Sequence, residues 1–399
     1  MNNKVNILFI GVICSEKLIS EMITNKSGNP NAAAQKYHRL LIEGMAKNAE
    51  TFNIKILSLP EFNLKSSISG SSEIANSVNF RYLFYTKNKY LKSLINGIQL
   101  AYFITQWRAN NRHANSHIMF DVLHLYSSVI SLIFSKILRI KSIITITDLP
   151  ELMYILNDKI RTKDKIVYSI QNFIIRHTKY YIVLTQSIKE RFNYKNKKVI
   201  IIEGLVDENK IELTNKNTNF NAIKTIHYSG GLYIKFGVKT LIEAFMKINN
   251  VSIRLHLFGN GDIIEYINSC MIQDKRIKYF GYQANQIIIN DQRNSFLLVN
   301  PRFSKENYTK YSFPSKTIEY MASGIPLVTN KLTGIPDEYF NYAFTFEDES
   351  IEGYKVTLEK LLELTRDEII EFGGKAQSFV YNNKNNKLQA SRLFKLLTL

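Results

Sequence analysis

Short, unbroken apolar runs rich in Val, Ile and Leu recur between helical stretches of this chain, and the series occurs twice. In the first half the runs are VNILFIG (5–11), FNIKILSL (52–59), DVLHLY (121–126), SIITIT (142–147), YYIVLT (180–185) and KVIIIE (198–203). In the second half they are KTIHYSG (224–230), IRLHLFG (253–259), IKYFG (277–281), SFLLVN (295–300) and IPLVT (325–329). Continuous runs, rather than apolar–polar alternation, mark strands covered on both faces, as in parallel sheets. Strand alternating with helix then predicts an α/β fold of two doubly wound domains. The series breaks at the polar, Asn-rich stretch DENKIELTNKNTNFNAI (207–223). The expected division is a first domain over 1–206, a linker over 207–223 and a second domain over 224–375. A terminal helix, 376–399, is placed to pack back on the first domain. Sheets of this kind bind ligands outside the carboxyl ends of their strands, and the cleft between two facing domains is the expected site.

Bulk properties narrow the function classes. At 399 residues, the chain suits two domains of about 150–200 residues. Its formal charge of +18 favours anionic partners: nucleic acid, acidic lipid headgroups or phosphorylated substrates. The lysines are scattered and no reader motif is present, so nucleic acid is set aside. The two cysteines, Cys14 and Cys270, fall in different domains and give no disulfide framework or metal spacing, which fits a reducing cytoplasm. The apolar start, VNILFIGVIC (5–14), lacks a basic flank and a cleavage site, and reads as a buried first strand. No apolar run reaches the ~18–20 residues that span a bilayer. The expected location is cytoplasmic.

One segment stands apart. RYLFYTKNKYLKSLINGIQLAYFITQWRANNRH (81–113) mixes Arg, Lys, Tyr and the lone Trp107 with Leu, Ile and Phe at helical spacing. It reads either as a domain helix packed on the sheet or as an amphipathic helix on an anionic membrane surface.

Two stretches carry candidate chemistry. In YSFPSKTIEYMASGIP (311–326), a polar turn from Ser312 to Lys316 runs into a helix that Gly324 and Pro326 stop. Glu319 is expected in the first turn of that helix. A helix amino terminus offers unpaired N–H groups and a positive dipole end to a phosphate. Ser315 and Lys316 add a hydroxyl and a charge, and Glu319 can accept hydrogen bonds from a sugar diol. The plainer reading makes Ser315 an N-cap and Glu319 a dipole partner. In HYSGGLYIKFGVKTLIEAF (227–245), Gly230 and Gly231 leave room for backbone to approach a ligand, Lys235 follows on the loop, and a helix starts near Val238.

With LHLFGNGD (255–262), KYFGYQ (278–283) and LLVNPR (297–302), these stretches resemble the donor domain of glycosyltransferase family 4. Members of that family have the GT-B fold, two Rossmann-like domains holding a nucleotide sugar between them. GNPNAAAQKYHRLLIEGM (28–45) is similar to the family's first loop and helix. ITDLPELM (146–153) resembles its loop near the reacting sugar, and EGLVD (203–207) its hinge strand. The resemblance implies that Lys235, Ser315 and Lys316 bind the diphosphate, that Glu319 holds the ribose and that Tyr282 packs on the base. Gly230, Gly231 and Arg302 join the donor-binding set.

The chain departs from the family at three places. Tyr311 replaces the first glutamate of the family's E-x7-E pattern, with Glu306 the nearest upstream acid. Phe236 separates Lys235 from Gly237. Asp148 is the polar group where the family has a histidine near the reacting sugar; it also reads as a cap for the segment after Pro150. These departures resemble a polysaccharide-assembly branch carrying FPSK-x-x-EY and TDLPE. The resemblance implies retaining transfer of a sugar from a nucleoside diphosphate to a saccharide, with a lipid-linked acceptor suggested by 81–113. Without an Asp-x-Asp motif, neither metal nor cofactor is expected. Lys235, Lys316 and Asp148 are the catalytic candidates. Two other readings remain: an epimerase of GT-B fold, and a degenerate GT-B partner protein.

Overall fold

A computed structural model describes residues 4–15, 17–19, 32–59, 72–75, 78–84, 88–155, 161–192, 196–210 and 223–398. Residues Met1–Asp207 and Asn385–Leu399 form one compact unit, and Glu208–Lys384 form the other. The start of the first-loop motif, 28–31, and most of the expected linker, 211–222, lie outside the described residues.

In the first unit the apolar runs become β1 (Val5–Gly11), β2 (Phe52–Ser58), β3 (Ser72–Ala75), β4 (Val78–Tyr82), β5 (Asn115–Asp121), β6 (Lys141–Ile146), β7 (Tyr180–Val183) and β8 (Lys198–Ile201). They form one sheet in the order β3-β4-β2-β1-β5-β6-β7-β8. All neighbours are parallel except the edge strand β3, which runs antiparallel to β4. Every residue of β1 is buried, as a strand with helices on both sides requires. The connections are α1 (Ala32–Lys47), α2 (Lys89–Asn110), α3 (Leu125–Ile137), α4 (Pro150–Ile155), α5 (Thr162–His177) and α6 (Gln186–Arg191).

One expected strand is displaced. DVLHLY (121–126) is not a strand: β5 lies one segment earlier and ends at Asp121. The Asp121 carboxylate then accepts a hydrogen bond from the Leu123 N–H at 2.8 Å, which turns the chain out of the sheet and into α3.

The second unit holds β9 (Lys224–Gly231), β10 (Ile253–Asn260), β11 (Ile277–Tyr279), β12 (Leu297–Asn300), β13 (Leu327–Thr329) and β14 (Phe344–Thr345). They lie in the order β11-β10-β9-β12-β13-β14, all parallel. Numbered within the unit this is 3-2-1-4-5-6, the dinucleotide-fold order, whose topological switch lies between β9 and β12. Its helices are α7 (Val238–Met246), α8 (Ile264–Gln273), α9 (Asn285–Arg293), α10 (Ser315–Ser323), α11 (Ile351–Leu362) and α12 (Arg366–Asn383).

The chain then re-enters the first unit as α13 (Asn386–Thr398). The change of unit falls between Lys384 and Asn385, because α12 runs on through residue 376 to Asn383. Ala390, Leu393 and Leu397 of α13 share the first unit's core with Leu41 and Met45 of α1.

Candidate functional site

The switch point of the second unit collects the carboxyl ends of β9 and β12 and the amino end of α10. Three features build it. The β9 strand ends in Gly230 and Gly231, and the backbone then makes a 3-10 turn, Ile234–Phe236, closed by Gly237. Gly237 has φ 73°, and a Cβ there would sit 1.9 Å from the Pro301 carbonyl oxygen. No other residue type fits that close approach of the β9 and β12 loops.

The β12 loop is pinned from below. The Tyr354 hydroxyl donates to the Pro301 carbonyl at 2.8 Å. The Asn330 amide donates to the Arg302 carbonyl at 2.8 Å and to the Tyr354 hydroxyl at 2.6 Å. Arg302 in turn lays its guanidinium over the Phe236 ring, 4.6 Å from the centroid, a cation–π contact that couples the two loops.

α10 is held at the same point by Tyr320. Its fully buried hydroxyl accepts a hydrogen bond from the Ser229 N–H at 2.9 Å and donates to the Ser229 carbonyl at 3.2 Å. The helix begins at Ser315 with Pro314 as N-cap and no side-chain cap. Ser315 is therefore the first helical residue rather than the N-cap, and Glu319 falls in the second turn, not the first. The Thr317 N–H turns back to the Pro314 carbonyl at 2.8 Å, which leaves the Ser315 and Lys316 N–H groups as the positive end offered to an outside acceptor.

Lys316 donates to the Glu319 carboxylate at 3.2 Å. An i,i+3 pair of this kind contributes only about 0.2–0.5 kcal/mol, so an anion at Lys316 and a hydroxyl at Glu319 can replace it at little cost. Burial pushes His227 down and Tyr228 up; the Lys316 charge adds to the first shift and the Arg302 charge opposes the second, so both cations lie within electrostatic reach of β9. Lys235 lies 5.6 Å from the ring centroids of both Tyr233 and Phe236, on the same loop that Arg302 contacts.

Eight of the nine expected site residues thus belong to the second unit, and Gly230, Gly231, Lys235, Arg302, Ser315, Lys316 and Glu319 surround its switch point. Tyr282 sits after β11 and is 66% exposed. Asp148 belongs to the first unit, half-buried between β6 and α4. Tyr311, at the departure from the family pattern, closes a 3-10 turn with its N–H on the Tyr308 carbonyl at 3.0 Å. Glu306 begins that turn as its N-cap.

Sequence reasoning missed a polar layer beneath the switch point. His227 and His256 stand in register on β9 and β10, and both hydrogen-bond to Asp291 of α9, at 2.6 and 2.8 Å. Burial alone would raise the Asp291 carboxyl, but the two histidine hydrogen bonds outweigh it and hold the group at about 2. Burial pushes His227 down from its usual range, against the pull of Asp291. A neutral imidazole N–H donating to a carboxylate satisfies both directions. No spacing rule links positions 227, 256 and 291; the sheet register joins the two histidines, and the packing of α9 beside β9 brings Asp291 to them.

The corresponding end of the first unit's sheet carries a second such pair. His38 of α1 meets Asp121 of β5 at 2.6 Å, both buried. Burial raises the Asp121 carboxyl, and the His38 hydrogen bond and charge together with the Leu123 N–H bring it below its ordinary value. Asp207, the last residue of EGLVD, pairs with Lys47 at 2.6 Å. Among the described residues no group of three or more His, Cys, Asp or Glu side chains is arranged to hold a metal ion.

Residues 223–363 match the family described as Glycosyl transferases group 1. No curated protein matches the chain. Solved structures similar over the whole chain include sucrose-phosphate synthase from Thermosynechococcus elongatus, at 16% identity over 99% of each chain and a TM-score of 0.67. HepE of Anabaena in complex with UDP is 15% identical over 98% of this chain and 99% of that one, with a TM-score of 0.62. A glycosyltransferase from Rickettsia africae is 14% identical over 99% of this chain and 98% of that one, with a TM-score of 0.64. HepE has also been solved with UDP-glucose. The two α/β units of this chain therefore have the GT-B fold, and the match to Glycosyl transferases group 1 falls within the second unit.

Proposed function

We propose that this chain transfers a sugar from a nucleoside diphosphate to a saccharide hydroxyl, with retention of the anomeric configuration. One observation carries the reading: the uncapped start of α10, with Ser315 and Lys316, is fixed by Tyr320 at the switch point of a dinucleotide-type sheet. The diphosphate lies on the Ser315 and Lys316 N–H groups at the start of α10, with the side chains of Lys316, Lys235 and Arg302 around it. Glu319, one turn further along, takes the ribose hydroxyls. UDP and UDP-glucose in HepE support a nucleotide sugar as donor.

The chemical barrier is departure of the diphosphate from an oxocarbenium-like sugar. The cations and N–H groups stabilise the negative charge as it develops on the leaving oxygen, and being fixed in advance they need no reorganisation. The acceptor's proton goes to Asp148 or to a phosphate oxygen of the leaving group. The basic, aromatic segment 81–113 supports a lipid-linked saccharide acceptor at the cytoplasmic face of a membrane.

The test is a thermal-shift panel of nucleoside diphosphates and their sugars, paired with turnover of Lys316→Ala. A ligand at 100 times its Kd stabilises the folded state by about 2.7 kcal/mol, so one base should raise the melting point. Lys316→Ala should lose that shift and fall roughly 10²–10³-fold in turnover while keeping its circular dichroism. A panel without any shift, or wild-type turnover in the variant, sinks the assignment.

A further inference from the structure

α2 is apolar on two opposite sides. Leu100, Ile104 and Trp107 are buried against the first unit. Leu91, Leu94, Ile98 and Tyr102 are 46, 62, 62 and 59% exposed. At 3.6 residues per turn these four fall within an arc of about 80°, opposite the buried side. The buried side already supplies the core contact, so the exposed side is surplus to the packing of the described residues.

Two neighbouring helices repeat the pattern. The Tyr126 hydroxyl of α3 donates to the Ser93 carbonyl of α2, away from the exposed row of α2, and α3 packs in turn on α5. On α3, Tyr126, Ile133 and Ile137 are 41, 48 and 66% exposed, again at same-side spacing of 7 and 4 residues. On α5, Ile166 and Phe173 are 57 and 56% exposed, 7 residues apart. Three neighbouring helices therefore each turn an apolar row outward, more than singly scattered surface leucines amount to.

The charge pattern names the partner. Neither α2 nor α3 contains an Asp or Glu. The single acid on α5, Asp164, sits in its first turn and is paired with Arg161 at 3.5 Å. Exposed cations flank the rows: Lys136 and Arg139 at the end of α3, and Lys163, Lys165 and Arg176 on α5. We propose that α2, α3 and α5 form a docking face for an anionic lipid bilayer. The apolar rows enter the boundary between headgroups and acyl chains while the cations meet the phosphates. Among the described residues no helix is long and apolar enough to cross the membrane, so the contact is in-plane. A second copy of this chain is a poorer occupant, since the same cations would face each other across the contact. The face is independent of the donor site in the second unit, and its test does not require turnover.

The experiment is co-sedimentation of the full chain with vesicles of phosphatidylglycerol and phosphatidylcholine, against phosphatidylcholine alone. Wild type should pellet with the anionic vesicles and be released by high salt. Leu94→Ser with Ile98→Ser, and separately Ile137→Ser with Phe173→Ser, should weaken partition by about tenfold or more. Lys136→Glu with Lys165→Glu should lower binding only to the anionic vesicles. All six side chains are exposed, so circular dichroism and melting point should stay at wild-type values. Absence of wild-type binding to anionic vesicles, or unchanged binding in the apolar variants, overturns the proposal. Sedimentation equilibrium showing a dimer that these variants dissociate overturns it in favour of self-association.

Discussion

His117 shows how a single side chain can set the acid limit of a unit. It lies in β5 with no exposed surface, its ring edge-on to Tyr180 at 5.4 Å. Burial holds its pKa at about 3, against an ordinary 6.5, with the Lys141 charge adding to the shift and the Asn115 backbone opposing it. Below about 6.5 the unfolded chain takes up a proton that the folded chain refuses. Stability therefore falls as pH drops from about 6.5 towards 3, by up to about 1.4 kcal/mol per pH unit. His117→Leu should flatten that slope for the first unit, read as unfolding free energy at pH 4.5 and 7; an unchanged slope would falsify the role. Asp291 acts in a lower window with the same sign. Its depressed carboxyl contributes stability above the unfolded carboxylate range, and this is lost as pH falls towards about 2.

At the level of elements, α13 carries a clear energetic test. Leu393 has no exposed surface in the first unit's core, and α13 lies so close to α1 that a Cβ on Gly44 would be 2.2 Å from the Asn386 carbonyl oxygen. Leu393→Ala removes buried volume that such a tight contact cannot refill, and should cost about 2–5 kcal/mol in denaturant unfolding. An element's type was more legible than its exact position. The glycine turn of 227–237 and the helix after FPSK could be read from Gly230, Gly231, Gly237 and the stop at Gly324, because each of these glycines meets a local need. DVLHLY was misplaced because Val122 and Leu123 look like strand residues. What ends the strand is the Asp121 carboxylate turned back on the Leu123 N–H, with its other oxygen held by His38, 83 positions away.

For the whole molecule, the chain leaves the first unit at Asp207 and returns at Asn385, where Val206 and Asn385 form a parallel bridge and the Asn386 N–H donates to the Val206 carbonyl at 2.9 Å. Removing residues 385–399 should lower the unfolding temperature of the first unit by several degrees, at about 2–4 °C per kcal/mol. The second unit, with its own core around Ile226, Leu255 and Leu297, should unfold as before. Calorimetry on the two chains checks this, and identical traces would count against it. By itself the sequence determined the fold class and the doubling of the strand series, and it singled out Ser315, Lys316 and Glu319 as candidate donor-site residues, because periodicity, glycines and helix starts are local. Tertiary structure alone decided what surrounds them. Tyr320 seats the helix on Ser229, Asn330 and Tyr354 hold the Arg302 loop, and Asp291 joins two histidines on adjacent strands. It also exposed the second apolar side of α2. Each of these depends on which residues distant in the chain the sheet order brings together, and no local pattern encodes that.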